Sequence, residues 1–430
     1  MQNSNCSPDH CTFSSLMHAC AESFEFLYGC VVHAFIVKTG WNVAVEVKNS
    51  ILSFYAKLGC QTEAMEEIES IGTLTQVSWN AIIDAHMKMG DIHEAFNVFQ
   101  KAPDKNVVSW TSMIAGYARS GAAEQALTFF VDMIKSGVLP DDFTFGAALY
   151  ACSSLAVLGL GRMVHACVVQ NGFLVHAYVG NGLINMYAKC GDIEGSSWAF
   201  HDILDKDLVS WNAMLFGFGM HGLTTQALQL YEDVVASGVK PDRVTFIGLL
   251  MTCSHSGLIE KGKAFFKLME TVYKLPHEAD HVACMVDMLG RGGYLAEAKE
   301  LTKRYSLAGN ARATSCEVLL GACSAHGDVK TGTYIGEDLK ILEPDREMSY
   351  VLLSNLYCAS EQWNEAEMIR KSMVDQGIKK MPGCSWIELR NKVTTFVAGN
   401  TSHIYTEELS NILCCLDFQI RNQCYSGFKK

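Results

Sequence analysis

The chain repeats itself, and the length of the repeat leaves few folds open. Ser-Trp-Asn or Ser-Trp-Thr stands at Ser78-Trp79-Asn80, Ser109-Trp110-Thr111 and Ser210-Trp211-Asn212, with the tryptophans 31 and 101 residues apart. Pro140-Asp141 and Pro241-Asp242 are again 101 apart. Tyr55-Ala56-Lys57 and Tyr187-Ala188-Lys189 are 132 apart, as are His33-Ala34 and His165-Ala166. Two unit lengths, about 31 and about 35, account for all these spacings and tile the chain from roughly residue 10 to residue 310.

Within a unit the pattern is helical. Trp110, Met113, Ile114 and Tyr117 fall at i, i+3, i+4 and i+7, which makes one apolar stripe. Gly121 supplies a left-handed stop, and Ala126, Phe130 and Met133 form the stripe of a second helix. Gly90, Gly191 and Gly222 sit at comparable breaks, and Pro103, Pro140, Pro241, Pro276 and Pro344 fall near unit ends, where a missing N–H costs least. Each unit is thus a helical hairpin that cannot bury its stripe alone, and stacked neighbours bury it. Cys20, Cys152 and Cys253 share position 11 of their units, the place of a small buried packing residue, and His33 and His165 share position 24.

The pattern changes past residue 311. Two further helical pairs are expected over 311–347 and 348–380. The β-prone runs Ser385–Leu389 and Val393–Val397, around the polar Arg390-Asn391-Lys392, read as a hairpin, and a last helix is expected over Thr406 to Ile420. The expected organisation is a tail over 1–9, repeats over 10–310, helical repeats of a second kind over 311–380 and a C-terminal tail over 381–430.

Composition excludes several classes. No run of about 18 apolar residues offers a membrane span, and no Arg-rich amphipathic targeting segment is visible at the N-terminus. The 17 cysteines sit in a long chain without a secretory start, so reduced thiols are expected. Gly159-Leu160-Gly161 lacks the third glycine of a dinucleotide loop. No catalytic residue, metal ligand set or cofactor site is expected. A net charge of -12 runs against nucleic-acid binding through phosphate contacts.

Hairpins of this size could be tetratricopeptide repeats, whose period is a uniform 34. The alternating lengths and the residues themselves resemble the pentatricopeptide repeat family instead, in its plant organellar branch of P, L and S units. Val107-Val108-Ser109-Trp110 through Pro140-Asp141 resembles a P unit, and Phe143-Thr144-Phe145 through His165-Ala166 an L unit. Asn181 to Gly191, with Met186-Tyr187-Ala188-Lys189-Cys190-Gly191, resembles an S unit. Leu319-Leu320-Gly321-Ala322-Cys323, Leu353-Ser354-Asn355-Leu356-Tyr357 and Pro382-Gly383-Cys384-Ser385-Trp386-Ile387 look like that branch's E-type extension.

The resemblance implies an all-α, right-handed solenoid superhelix of helix-turn-helix repeats with a small β-hairpin near the C-terminus. It also implies sequence-specific binding of single-stranded RNA, one nucleotide per unit, read by residue 5 and the last residue of each unit. The implied pairs are Asn80/Asn106 (pyrimidine, C preferred), Thr111/Asp141 (G), Asn181/Asp207 (U) and Asn212/Asp242 (U), with Gly146 a poor reader between the second and third. The expected target is C/U, G, any, U, U from 5′ to 3′, with Val77, Val108 and Val209 at position 2 flanking the bases. Asn49/Thr75 and Ala283/Asn310 leave their bases open.

E-type relatives resemble site-recognition factors for cytidine-to-uridine editing of organellar transcripts. The zinc deaminase signature, H-x-E with P-C-x-x-C, is absent, since none of the 14 histidines has Glu two residues later and no cysteines are spaced C-x-x-C. The implied partners are single-stranded mitochondrial or plastid RNA and a deaminase or editing-complex protein recruited in trans through the E-like region, with no membrane. Two other readings stay open: an RNA stabilisation or splicing factor, and a protein-binding helical scaffold.

Overall fold

The structure, a computed structural model, describes residues 8–72, 74–305, 309–380, 382–389, 392–398 and 406–427. The chain is 76% helical, with 23 helices among the described residues, and it divides into two compact units, 1–256 and 257–430.

The first unit is a run of antiparallel helical hairpins. They are α1 (His10–Glu22) and α2 (Phe26–Thr39), α3 (Val45–Lys57) and α4 (Gln61–Ser70), α5 (Gln76–Met89) and α6 (Ile92–Lys101), and α7 (Val107–Arg119) and α8 (Ala123–Lys135). They continue as α9 (Asp142–Leu155) and α10 (Leu158–Gln170), α11 (Ala177–Lys189) and α12 (Ile193–Asp202), and α13 (Leu208–Met220) and α14 (Thr224–Ala236), with α15 (Arg243–His255) last. First helices stack on first helices, α3 on α5, α5 on α7, and onward to α15.

The stripes drive this stacking. Met113, Ile114, Ala126, Phe130 and Met133 are buried, as are the matching Ile82, Ile83, Leu183 and Ile184 of other units. Burying one such side chain contributes about 1.5–3 kcal/mol, which an isolated hairpin could not collect. The breaks between helices are glycine-made: Gly90 ends α5 at φ 82, and its N–H reaches back to the carbonyls of His86 and Met87. Cys152 and Cys253 are fully buried as packing residues, while Cys20 is half-buried in the first hairpin, which has no described hairpin before it to cover it.

The second unit holds α16 (Ile259–Thr271), α17 (Ala279–Arg291), α18 (Leu295–Arg304), α19 (Gly309–His326), α20 (Val329–Leu342), α21 (Glu347–Ala359) and α22 (Trp363–Asp375). Its core joins Val286 and Leu289 to Leu319, Leu320, Cys323, Leu353 and Leu356. Strands β1 (Cys384–Leu389) and β2 (Lys392–Val397) pair antiparallel, Cys384 opposite Val397, and α23 (Thr406–Gly427) follows. The polar turn expected at Arg390-Asn391 lies outside the described residues. No helix among the described residues is long and apolar enough to cross a membrane.

Candidate nucleic-acid interface

The unit boundary inferred by counting is a helix cap. The last residue of a unit is the N-cap of the next unit's first helix, and its side-chain oxygen accepts the backbone N–H three residues on. Asn106 Oδ1 accepts from Ser109 N at 3.0 Å, Asp141 Oδ1 from Thr144 N at 2.8 Å, Asp207 Oδ1 from Ser210 N at 2.8 Å and Asp242 Oδ1 from Thr245 N at 2.9 Å. The hydroxyl of the same serine or threonine, at position 3, lies 2.6–3.0 Å from that oxygen in all four. These position-3 hydroxyls were not among the expected site residues. Their signal is present in the sequence as a recurring Ser or Thr after an Asn or Asp.

The position-5 asparagines join the same network from the preceding unit. Asn80 Nδ2 donates to Asn106 Oδ1 at 3.3 Å, Asn181 Nδ2 to Asp207 Oδ1 at 3.3 Å and Asn212 Nδ2 to Asp242 Oδ1 at 3.1 Å. So the two members of three expected pairs, 26 or 30 residues apart in sequence, touch. The asparagines are held inside this network, only 5–9% exposed. The fourth pair is relayed: Thr111 Oγ1 lies 2.6 Å from Thr144 Oγ1, which bonds Asp141. Asn49 and Thr75 do not meet directly, since Asn49 Nδ2 points to Ser78 Oγ at 3.5 Å and Thr75 caps α5. The Asn310 side chain lies outside the described residues.

The electrostatics follow from the caps. Burial pushes the Asp207 carboxyl up, but the N–H and hydroxyl of Ser210 and the amide of Asn181 bring its pKa below the ordinary carboxylate value. The charge is therefore held at neutral pH, at the positive end of the α13 dipole.

The unit 142–176 breaks the pattern. Its last residue, His176, makes no side-chain cap bond to α11, and position 3 of α11 is Val179. At position 5, a Cβ on Gly146 would lie 2.8 Å from Cε1 of Tyr178, so the absence of a side chain there lets the Tyr178 ring lie against α9. Phe143 packs on Tyr178 with ring centroids 5.5 Å apart.

Position 2 is exposed throughout: Val77, Val108 and Val209, and with them Phe143, Tyr178 and Val244. A cleft of about 770 Å³ runs along α7, α9, α11 and the start of α13, lined by Val108, Thr111, Asp141, Phe143, Asn181 and Val209, among others. Its lining holds two cations, Arg119 and Lys189, and two carboxylates, Asp84 and Asp141, so its lining charge is balanced. The two aromatic residues and the two cations were not among the expected site residues.

Helical hairpins stacked in register, with the last residue of a unit capping the next at Thr75, Asn106, Asp141, Asp207 and Asp242, define an α-solenoid of helix-turn-helix repeats. The PPR repeat family matches residues 105–154 and 206–255, the PPR repeat matches 77–107 and 181–208, and an E motif matches 326–388. The mitochondrial pentatricopeptide repeat-containing protein At2g36980 of Arabidopsis thaliana is 61% identical over 98% of this chain and 68% of its own length. A chloroplastic one from the same plant, At1g08070, is 35% identical over 96% of the chain and 52% of its length. The chain spans about half the length of most of these relatives. Maize pentatricopeptide repeat protein PPR10, solved alone and with an 18-nt psaJ RNA element, superposes with TM-scores of 0.61 and 0.62. At 18% identity, those solved chains cover 89% and 88% of this chain and are covered to 56% and 57%. The chain belongs to the pentatricopeptide repeat family, with repeats followed by an E motif.

Proposed function

We propose that this chain binds single-stranded RNA along the unit boundaries of residues 76–242 and acts as a site-recognition factor for C-to-U editing of an organellar transcript. The observation that carries the reading is the cap itself. Because Oδ1 of the last residue must face the helix N–H groups, the identity of its second atom is fixed. In Asp207 and Asp242 that atom is Oδ2, an acceptor suited to the ring N–H of uracil or guanine. In Asn106 it is Nδ2, a donor suited to the ring nitrogen of cytosine or adenine. The position-2 side chains flank that edge with apolar surface on which bases rest.

Thr111/Asp141 then reads G, and the unit containing Gly146, filled by Tyr178 and lacking the cap pair, tolerates any base. Relatives named mitochondrial and chloroplastic support an organellar RNA target. The E motif region is the surface we assign to recruiting a deaminase in trans.

The deciding experiment compares C-to-U conversion at every organellar site in plants lacking the protein. Loss at one or a few sites preceded by pyrimidine-G-any-U-U is expected. Unchanged editing with one transcript altered in abundance or splicing would replace editing by RNA stabilisation or processing, and no RNA change at all would favour a protein-binding scaffold.

A further inference from the structure

Two units offset by 101 residues carry the same aromatic floor with different lids. In the first, Trp110 meets Phe99 edge-on at 4.9 Å, and Lys105 Nζ stands 5.4 Å from the Phe99 ring. Phe129 closes over them, 5.7 Å from Phe99, 5.9 Å from Trp110 and 5.0 Å from Tyr117, with Phe96 6.1 Å away. In the second, Trp211 meets Phe200 edge-on at 5.1 Å and Lys206 Nζ stands 5.1 Å from the Phe200 ring. The two closing phenylalanines are gone: Ser197 stands in register with Phe96, and Leu230 with Phe129.

A cavity of about 650 Å³ opens in their place between α12, α13 and α14. Trp211, Phe200 and Met214 form its floor, and Lys206, Gln229 and Asp233 stand at its rim. Trp110 is 8% exposed, whereas Trp211 is only partly covered. On the outer side of α12, Trp198 is 69% exposed, three residues from the cavity-lining His201.

We propose that this cavity binds an aromatic side chain, phenylalanine in the first place, presented by a partner protein. The chemistry is set by the sister unit, where phenyl rings fill the equivalent space and close on an aromatic floor edge-to-face. The rim carries one lysine and one aspartate, so it offers no net attraction to a phosphate chain. Trp198, next in sequence to the cavity-lining Ser197, adds an exposed apolar side chain on the same helix, of the kind that anchors protein interfaces. The site is built by α12 and α14 over the Trp211 side of α13, and the proposal does not rest on the RNA reading.

The test uses the full chain labelled with 5-fluorotryptophan, its Trp211 fluorine resonance assigned through Trp211→Phe. The probe is the blocked tripeptide acetyl-Gly-Phe-Gly-amide, titrated to millimolar concentration. A saturable shift of the Trp211 resonance, with Trp110 unmoved, is expected, and acetyl-Gly-Leu-Gly-amide should bind about tenfold more weakly. Ser197→Phe with Leu230→Phe, which rebuilds the sister lid, should abolish the shift while helicity and RNA binding persist. Leu230→Phe alone provides the same loss should the double variant fail to fold. The reciprocal Phe96→Ser with Phe129→Leu should make the Trp110 resonance respond. No saturable shift at Trp211, or a shift that survives the filled lid, overturns the proposal. A larger shift with adenosine monophosphate than with the Phe peptide overturns it in favour of a nucleotide site.

Discussion

His165 and Tyr187 are joined across a repeat boundary: Nδ1 of the imidazole lies 2.7 Å from the phenol oxygen, with the rings edge-on at 5.6 Å. His33 and Tyr55 stand in the same relation 132 residues earlier, 2.8 Å apart with rings again at 5.6 Å. The pair ties the second helix of one hairpin to the first helix of the next. Tyr187→Phe leaves a half-buried ring nitrogen without its partner and should lower unfolding stability by about 1–2 kcal/mol. Tyr55→Phe should cost a similar amount, and the double variant should show the sum, since four units separate the sites. Urea denaturation followed by circular dichroism measures all three.

Acid should weaken the first unit through two covered imidazoles, the buried His86 and the half-buried His165. Burial lowers the pKa of His165, against a smaller opposing pull from Asp202, and burial likewise lowers His86 against Asp91 and Glu94. A depressed histidine pKa means that the folded state resists the proton. The stability is complete above the ordinary value of 6.5 and is lost as pH falls from there toward the folded pKa. Melting temperature should therefore decline as pH falls below about 6.5. Replacing both histidines by glutamine should flatten that limb, and an unchanged limb would assign it to other groups.

Gly116 marks a close approach of α7 to α5. A Cβ there would lie 2.5 Å from both Cγ and Sδ of Met87. Gly116→Ala should destabilise by about 1–3 kcal/mol, part of which Met87→Ala restores by removing the obstacle. A double-mutant cycle in denaturant gives the coupling, and a cycle showing none would mean that Met87 simply swings aside.

Asp207→Asn should keep the cap, because asparagine and aspartate cap about equally well, leaving stability within about 0.5 kcal/mol. On the proposed reading it shifts the preferred base from U to C, measured by fluorescence anisotropy with oligonucleotides differing at that nucleotide. Asp207→Ala should lose about 1 kcal/mol of stability and the base preference together. An Asn variant that binds as before would show that this residue caps and does not read.

Binding should depend weakly on salt. The chain carries a net charge of -12 and the cleft lining balances Arg119 and Lys189 against Asp84 and Asp141, so few counterions would be released. A log–log salt slope of about -2 to -3 is expected, and a slope as steep as that of a protein neutralising 6–10 phosphates would assign the affinity to the backbone instead.

The hairpins were legible because burial imposes a period. Trp110, Met113 and Ile114 had to recur wherever α7 had an equivalent, and counting their recurrences placed the boundaries at Asn106, Asp141, Asp207 and Asp242. What those boundary residues do was only half legible. A terminal Asp followed by Ser or Thr at position 3 is a cap in any helix, but the reach of Asn181 or Asn212 into the next unit's cap depends on how closely first helices stack. The Tyr178 ring over Gly146 was hidden for the same reason, its cause lying 32 residues downstream of the glycine it covers. The open floor under Leu230 emerges only when two second helices are superposed in three dimensions, because leucine satisfies the same hydrophobic pattern as phenylalanine.

The side-chain caps at Asn106, Asp141, Asp207 and Asp242 also restrict what vocabulary these boundaries can evolve. A residue there has to hold the next helix before it can meet any ligand, so the residues open to it are the few that cap well: Asp, Asn, Ser and Thr. Exchanges within that set leave the solenoid standing while changing the one outward atom. On the proposed reading, specificity can thus drift letter by letter with little loss of foldedness, whereas any residue outside the set weakens a joint as it rewrites the letter. The size of the alphabet is a property of helix N-termini.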